Sequence, residues 1–270
     1  MTDKAAILAR GLGTRMRKDD GGTALDAEQA AVAETGVKGM IPIGRPFMDY
    51  LVSALADAGF TDVCLVIGPE HRKVSDYYEK EITVSRVRIH IAIQERPLGT
   101  ADAVLAAEGF AGGESFAVVN SDNYYPIEAL AALHARRGPA LIAFERAALV
   151  RLGNVQADRA QRFGALDIGP DGFLRRVVAG GEPRPNTGDE NEIYSSLNCW
   201  LFTPEIFRAC RDVPLSARGE SELPQAVQLA IDEMGIRFEA VRMSTAVLDM
   251  SSRADIAAVA ERLQEVQVRL

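Results

Sequence analysis

An α/β fold built on a largely parallel sheet is what this sequence predicts, on three observations. Apolar runs of strand length alternate with segments of helical period through residues 1–145, and a glycine-rich turn follows the first run. The third is a hairpin pattern around residues 165–178, which interrupts the alternation and predicts a small antiparallel lobe over about residues 150–200.

Taken in order, Ala5 to Ala9 reads as a buried strand, and Gly11, Gly13 and Thr14 form a polar turn at the strand-to-helix step. Residues 17–37 are charged, then glycine-containing, then alanine-rich, and read as a flexible flap with one short helix. Phe47, Leu51, Ala54, Leu55 and Ala58 recur as one helical face that Gly59 closes. Val63 to Ile67, Ile89 to Ile93, Phe116 to Val119 and Ala140 to Phe144 are further strands, with helices over Ala101 to Ala107 and Ile127 to Arg136 between them. Ala165 to Ile168 and Phe173 to Val178 flank Gly169-Pro170-Asp171-Gly172 as a hairpin. Gly180 to Asn191 reads as an exposed loop, and Ile193 to Phe202 returns to the sheet. Ser252 to Asp255 resembles a capping box opening a helix over residues 252–270, with apolar positions Ile256, Val259, Leu263, Val266 and Leu270. That helix is the one visible candidate for assembly into a homo-oligomer, unless its stripe faces the core.

Composition narrows the function. The 270 residues, 47% hydrophobic and 25% charged, suit one folded domain over residues 1–270. Thirty basic against 38 acidic side chains give a net charge of −8, with no Lys/Arg run, which argues against nucleic acid as a partner. Cys64, Cys199 and Cys210 are odd in number, and with His71, His90 and His134 they lack metal-ligand spacing, so a disulfide scaffold and a zinc site are both disfavoured. No apolar stretch approaches the ~18 residues of a membrane span. The expectation is a protein of the reducing cytoplasm with no membrane contact.

The chemistry-bearing residues lie at strand ends. After Leu8 and Ala9, the turn Gly11-Leu12-Gly13-Thr14-Arg15 lets backbone N–H groups approach phosphate oxygens, with Arg15 as a bidentate cation. A tight turn with a surface arginine is the alternative for a bare Gly-x-Gly, but the position after the first strand favours phosphate. A third glycine, which a dinucleotide fingerprint needs, is absent where Met16 stands, and no Gly-Lys-Ser/Thr completes a P-loop. Lys38, which in the segment Lys38 to Pro46 sits before an apolar strand-like stretch, is a surface charge or a second phosphate ligand. Gln94 offers an amide to a base edge, Gly99 lets backbone approach a flat ring, and Thr100 is a candidate N-cap. Asp122 and Asp249 each follow an apolar run at the sheet's ligand-binding edge, as turn caps or as ligands converging on one Mg²⁺. Ser196 and Asn198 are candidates for sugar hydroxyls, while Trp200, alternating with them, belongs to the core.

Together these motifs resemble the sugar-1-phosphate nucleotidyltransferase family, across residues 5–262. Gly11 to Met16 is similar to its GxGTRM loop, Lys38 to Pro46 to its Lys-Pro segment, Gln94 with Gly99-Thr100-Ala101 to its base-binding segment, Ser121-Asp122-Asn123 and Leu248-Asp249 to its two metal steps. The resemblance implies a Rossmann-like mixed sheet, a sugar-binding antiparallel lobe, Mg²⁺, and transfer of a nucleotidyl group from a nucleoside triphosphate to a sugar 1-phosphate with release of pyrophosphate. On that reading Arg15, Lys38 and Asp122 are catalytic. Leu8, Ala9, Gly11, Gly13, Thr14, Gln94, Gly99 and Thr100 bind the nucleotide, Glu182, Ser196 and Asn198 the sugar, and Asp122 and Asp249 the metal. Family members are often oligomers.

Several residues depart from the pattern. Arg10 stands where a small residue is usual, Gly39 replaces a proline, the flap is long, Ser251 replaces a glycine, and Val178 to Pro183 lacks the family's Glu-Lys-Pro. Two rivals follow: a cytidylyltransferase acting on phosphocholine or a similar phosphorylated alcohol, and a nucleotide-binding module without turnover. A dehydrogenase stands third, against the missing glycine.

Overall fold

A computed structural model describes residues 2–18, 23–178 and 192–270. Its strands are β1 (Lys4–Leu8), β2 (Asp62–Ile67), β3 (Arg88–Ile93), β4 (Phe116–Asn120), β5 (Asn123–Tyr124), β6 (Ala140–Glu145), β7 (Ala165–Ile168), β8 (Leu174–Val178), β9 (Tyr194–Ser195), β10 (Trp200–Phe202), β11 (Glu239–Met243) and β12 (Leu248–Asp249). The main sheet runs β11-β6-β10-β4-β1-β2-β3, with β9 added to β6. Strands β1 to β4 are mutually parallel, and β10 enters antiparallel between β4 and β6, so the sheet is mixed, as the family resemblance implies. β7 and β8 form the predicted hairpin as a separate two-stranded sheet, and β5 pairs with β12 in another.

The reason the central strands read as unbroken apolar runs is that both faces are covered. Ala5, Ile7 and Ala9 point into one core with Leu51, Val52 and Leu55 of the helix Phe47–Asp57 and Leu130 and Leu133 of the helix Ile127–His134. Ala6 and Leu8 point into the other, under the helices Thr100–Ala106, Ile206–Asp212 and Leu223–Asp232. The last two helices and β11 carry no clear signal in the sequence reading. Trp200 is fully buried in the second core, as expected.

Four local expectations are corrected. Lys38–Met40 is a 3₁₀ turn, and the strand-like stretch after it forms only an isolated Pro42–Pro46 bridge, because Pro42 and Pro46 lack N–H donors and Gly44 turns the backbone at φ 88°. Ile193 to Phe202 is not one strand: Leu197 and Asn198 both take left-handed backbone, φ 46° and 53°, and split it into β9 and β10. Thr100 does not cap its own helix, whose N-cap is Gly99; its Oγ1 instead accepts from the N–H of Leu223 at 2.9 Å and caps the helix Leu223–Asp232. The last helix spans only Asp255–Leu263, with the Asp255 carboxylate taking the N–H groups of Ser251 and Ser252, and its apolar stripe packs inward on Met16, Ile41 and Leu248. The segment after it is irregular and is tied down by Arg269 N–H on Ser53 Oγ and by Ser85 Oγ on the Leu270 carbonyl. Within residues 17–37 stands a nine-residue helix, Ala27–Thr35, closed by an Asp26–Gln29 capping box.

Candidate active site

The carboxyl ends of β1, β3 and β4 share one edge of the sheet, which is where open α/β sheets present their loops to ligands. Because β10 runs the other way, its leading end faces the same edge, and extending the pair Trp200–Val118 by two residues sets Asn198 opposite Asn120. β12 then pairs with β5 so that Asp249 lies opposite Asn123, next to Asp122. Two cavities open here, of about 410 and 250 Å³. The first is lined by Leu8, Ala9, Gly11, Gly13, Thr14, Lys38, Gln94, Gly99 and Thr100, and the second by Ser196 and Asp249. Arg15, Asn120, Asp122 and Asn198 line both. Glu182 lies outside the described residues.

The glycine turn is built by close packing. Gly13 has φ 59°, and a Cβ there would lie 2.1 Å from the carbonyl oxygen of Gly36, itself left-handed at the end of the helix Ala27–Thr35. Only glycine fits. Arg17 ties the same joint by donating to the Thr35 carbonyl. At Gly11, by contrast, no protein atom lies within 4 Å of where a Cβ would be, so that space faces the cavity. The joint also delivers Lys38, two residues past Gly36, to Asp122: Nζ to Oδ2 is 2.8 Å. Arg15 has no hydrogen bond or ion pair to its guanidinium among the described residues. Arg10 turns its side chain onto Glu70, with both contacts at 3.2 Å, and buried Gly39 leaves room for Met48 and Ser121.

Gln94 is held in one orientation. Its Nε2 donates to the Gly99 carbonyl at 3.0 Å and to Asp102 Oδ2 at 2.7 Å, which leaves Oε1, an acceptor, as the uncommitted atom. Flipping the amide would set oxygen against two acceptors.

Asp249 is buried, and that burial, with the charge of Asp122 next, pushes its carboxyl up to about 6. Arg159 answers it, with Nη2 3.2 Å from Asp249 and Nη1 on both oxygens of Asp255. Asn154 holds the Asp249 backbone on both sides, and Ser251 Oγ donates to its carboxylate. The donors are oxygens throughout, a set for a hard divalent cation and not for zinc. Two neighbouring carboxylates, one of them raised by burial and by the other's charge, fit such an ion, which would offset both burial and mutual repulsion. No cluster of three or more His, Cys, Asp or Glu side chains occurs among the described residues, so phosphate and water oxygens would fill most of the shell.

The cysteines and histidines stay out of this chemistry. Cys64, Cys199 and Cys210 are free and buried, with burial pushing Cys64 and Cys210 up to about 12. His90 rests on Asp62, and His71 on the N–H of Gly68. The sequence reading missed Asn120, Asn123 and Arg159. Asn120 and Asn123 flank Ser121-Asp122 and were within reach of a strand-end argument; Arg159 lies 90 residues before Asp249 and no local pattern marks it.

The chain is also similar to known proteins. The nucleotidyl transferase family model matches residues 31–259. The chain is 28% identical to the UTP–glucose-1-phosphate uridylyltransferase AglF of Haloferax volcanii, over 97% of each chain. It is 29% identical to a glucose-1-phosphate thymidylyltransferase of Streptomyces antibioticus, over 85% of this chain and 57% of that one. A UDP-glucose pyrophosphorylase from Acinetobacter baumannii superposes with a TM-score of 0.74 at 18% identity, covering 99% of this chain and 96% of the other. No helix among the described residues is long and apolar enough to cross a membrane.

Proposed function

This chain belongs to the nucleotidyl transferase family, and from that premise we propose that it transfers a nucleotidyl group from UTP or dTTP to a hexose 1-phosphate, releasing pyrophosphate. The observation that carries the reading is the junction. Two cavities, each sized for part of a substrate, meet at Arg15 and Asp122, with Lys38 beside them. Such a site brings an acceptor phosphate up to a triphosphate.

A nonbridging oxygen of the acceptor phosphate attacks the α-phosphorus, and the bond to the β-phosphate oxygen breaks with its electron pair leaving on pyrophosphate. The nucleophile is already ionised at neutral pH, so positioning and charge neutralisation do the catalysis, without a general base. Arg15 and Lys38 take phosphate oxygens, and Gly11 lets the backbone approach them. Asp122 and Asp249 would hold Mg²⁺, which supplies charge neutralisation on the triphosphate. Ser196, in the second cavity, faces the sugar, while Asn198, lining both cavities, faces their junction. The fixed Oε1 of Gln94 supports uracil or thymine, whose N3–H is a donor, over cytosine, whose N3 is an acceptor. Free thiols agree with a cytoplasmic location.

The test is pyrophosphate release with Mg²⁺ across ATP, CTP, GTP, UTP and dTTP, each with glucose, mannose, galactose and N-acetylglucosamine 1-phosphates and with phosphocholine. Release with UTP or dTTP and one hexose 1-phosphate is expected. Release only with CTP and phosphocholine would replace the reading, and nucleotide binding without any release would leave a binding module.

A further inference from the structure

A directional chain of side-chain hydrogen bonds crosses the junction. Trp200 Nε1 donates to Asn198 Oδ1 at 3.3 Å, Asn198 Nδ2 to Asn120 Oδ1 at 3.2 Å, Asn120 Nδ2 to Asn123 Oδ1 at 3.4 Å, and Asn123 Nδ2 to Asp249 Oδ1 at 3.4 Å. Its ends cannot be reversed, because an indole nitrogen only donates and a carboxylate accepts. The orientation of every amide between them is therefore set. Tyr125, fully buried, fixes the frame by donating to the Leu197 carbonyl at 2.6 Å, which holds the left-handed pair Leu197-Asn198 in place. Asparagine tolerates that backbone better than other side chains, and here it also carries a link of the chain.

Each amide nitrogen has two hydrogens and the chain consumes one. For Asn120 and Asn198 the second has no partner among the described residues. Those two, half-buried, line both cavities along with Arg15 and Asp122. The group in contact with both cavities during transfer is the phosphoryl group itself. We propose that Asn120 and Asn198 are catalytic donors to the nonbridging oxygens of the transferring α-phosphoryl group, as the P–O bond to the acceptor forms and the bond to pyrophosphate breaks. Neutral donors aimed from a preset chain stabilise charge spreading onto those oxygens with no reorganisation at the moment of reaction. They add to Arg15 without bringing a further cation beside Lys38 and Arg159. The assignment rests on the transfer reading above.

Two variants and two readouts test it. N120A removes one donor; N198G removes the other and keeps a residue at home at φ 53°. In steady-state assays with Mg²⁺, UTP and glucose 1-phosphate, each variant should lose about 100-fold in kcat, with both KM values within about threefold of the parent. Parental kcat in both variants, or a loss confined to KM, would overturn the assignment. The second readout needs no turnover. Trp200 is the one tryptophan of the chain, so its indole ¹⁵N–¹H resonance is a single reporter on the chain's first bond. Adding UTP with Mg²⁺ should shift it in the parent, by polarisation through Asn198, and not in N198G. An unmoved resonance at saturating UTP would overturn the assignment. If the parent transfers to no acceptor while the resonance still responds, the transfer reading fails and the catalytic role of the pair falls with it, leaving only a contact with bound UTP. If it transfers while the variants match it, the pair fails and the reading stands.

Discussion

Lys38 and Asp122, 84 residues apart, form an ion pair with Nζ 2.8 Å from Oδ2 at the meeting point of two cavities. A phosphate on Lys38 and a divalent ion on Asp122 would replace this one contact with two. Asp122→Asn keeps the shape and removes the charge that would hold the ion, so kcat should fall by at least about 100-fold. The thermal midpoint should stay within a few degrees. Unchanged turnover would remove Asp122 from the metal site.

The two glycines of the turn should separate cleanly under substitution. Gly11→Ala meets no protein atom, so its melting temperature should match the parent while nucleotide affinity, read by calorimetry, falls. Gly13→Ala meets the Gly36 carbonyl and a positive φ, so it should lose stability by about 1–3 kcal/mol and turnover as well, because the same joint sets Lys38. Equal effects in the two variants would contradict this division.

Asp249 makes the effect of Mg²⁺ on stability depend on pH. Its folded carboxyl is pushed up to about 6 by burial and then by Asp122, above the unfolded value near 4. The sign follows from linkage: its contribution to stability is full below about pH 4 and is lost as pH rises through about 6. A cation at the pair offsets that loss only where the carboxyl is ionised. The rise in melting temperature on adding Mg²⁺ should therefore be small at pH 4.5 and large at pH 7.5, by calorimetry. Equal rises at both would place the ion elsewhere.

Outside the lining of both cavities, Asp49 is buried and accepts from Tyr78 and Tyr77 at 2.8 Å each and from Arg45 at 3.0 Å. Burial raises its carboxyl, and these donors hold it down. Tyr78→Phe should cost about 1.5–3 kcal/mol in denaturant unfolding, since it leaves a buried carboxylate short of a donor. Turnover should not change. A loss of activity at parental stability would connect this cluster to catalysis.

What the sequence by itself determined is what a short stretch of chain decides. Both-face burial writes an unbroken apolar run, as in Val63 to Ile67, and the turn after a strand writes its glycines, so the strands, the Gly11 to Arg15 loop, the hairpin at residues 165–178 and Asp122 at a strand end were all legible. The limits were local too. The left-handed step at Leu197-Asn198, which broke an expected strand, carries no glycine to announce it and is held by Tyr125, 72 residues away.

Only the tertiary structure decided which of these ends meet. Asp249 reaches Asp122 because β12 pairs with β5, Asn198 faces Asn120 because β10 enters the sheet antiparallel, and Arg159 comes to Asp249 through the fold of an intervening lobe. Gln94 could read several bases as a bare residue, and Asp102 and the Gly99 carbonyl fixed its orientation. The physical reason is common to all four. Periodicity reports whether a segment is buried, whereas a partner is chosen by strand register and by hydrogen-bond donors that must be satisfied across the whole molecule.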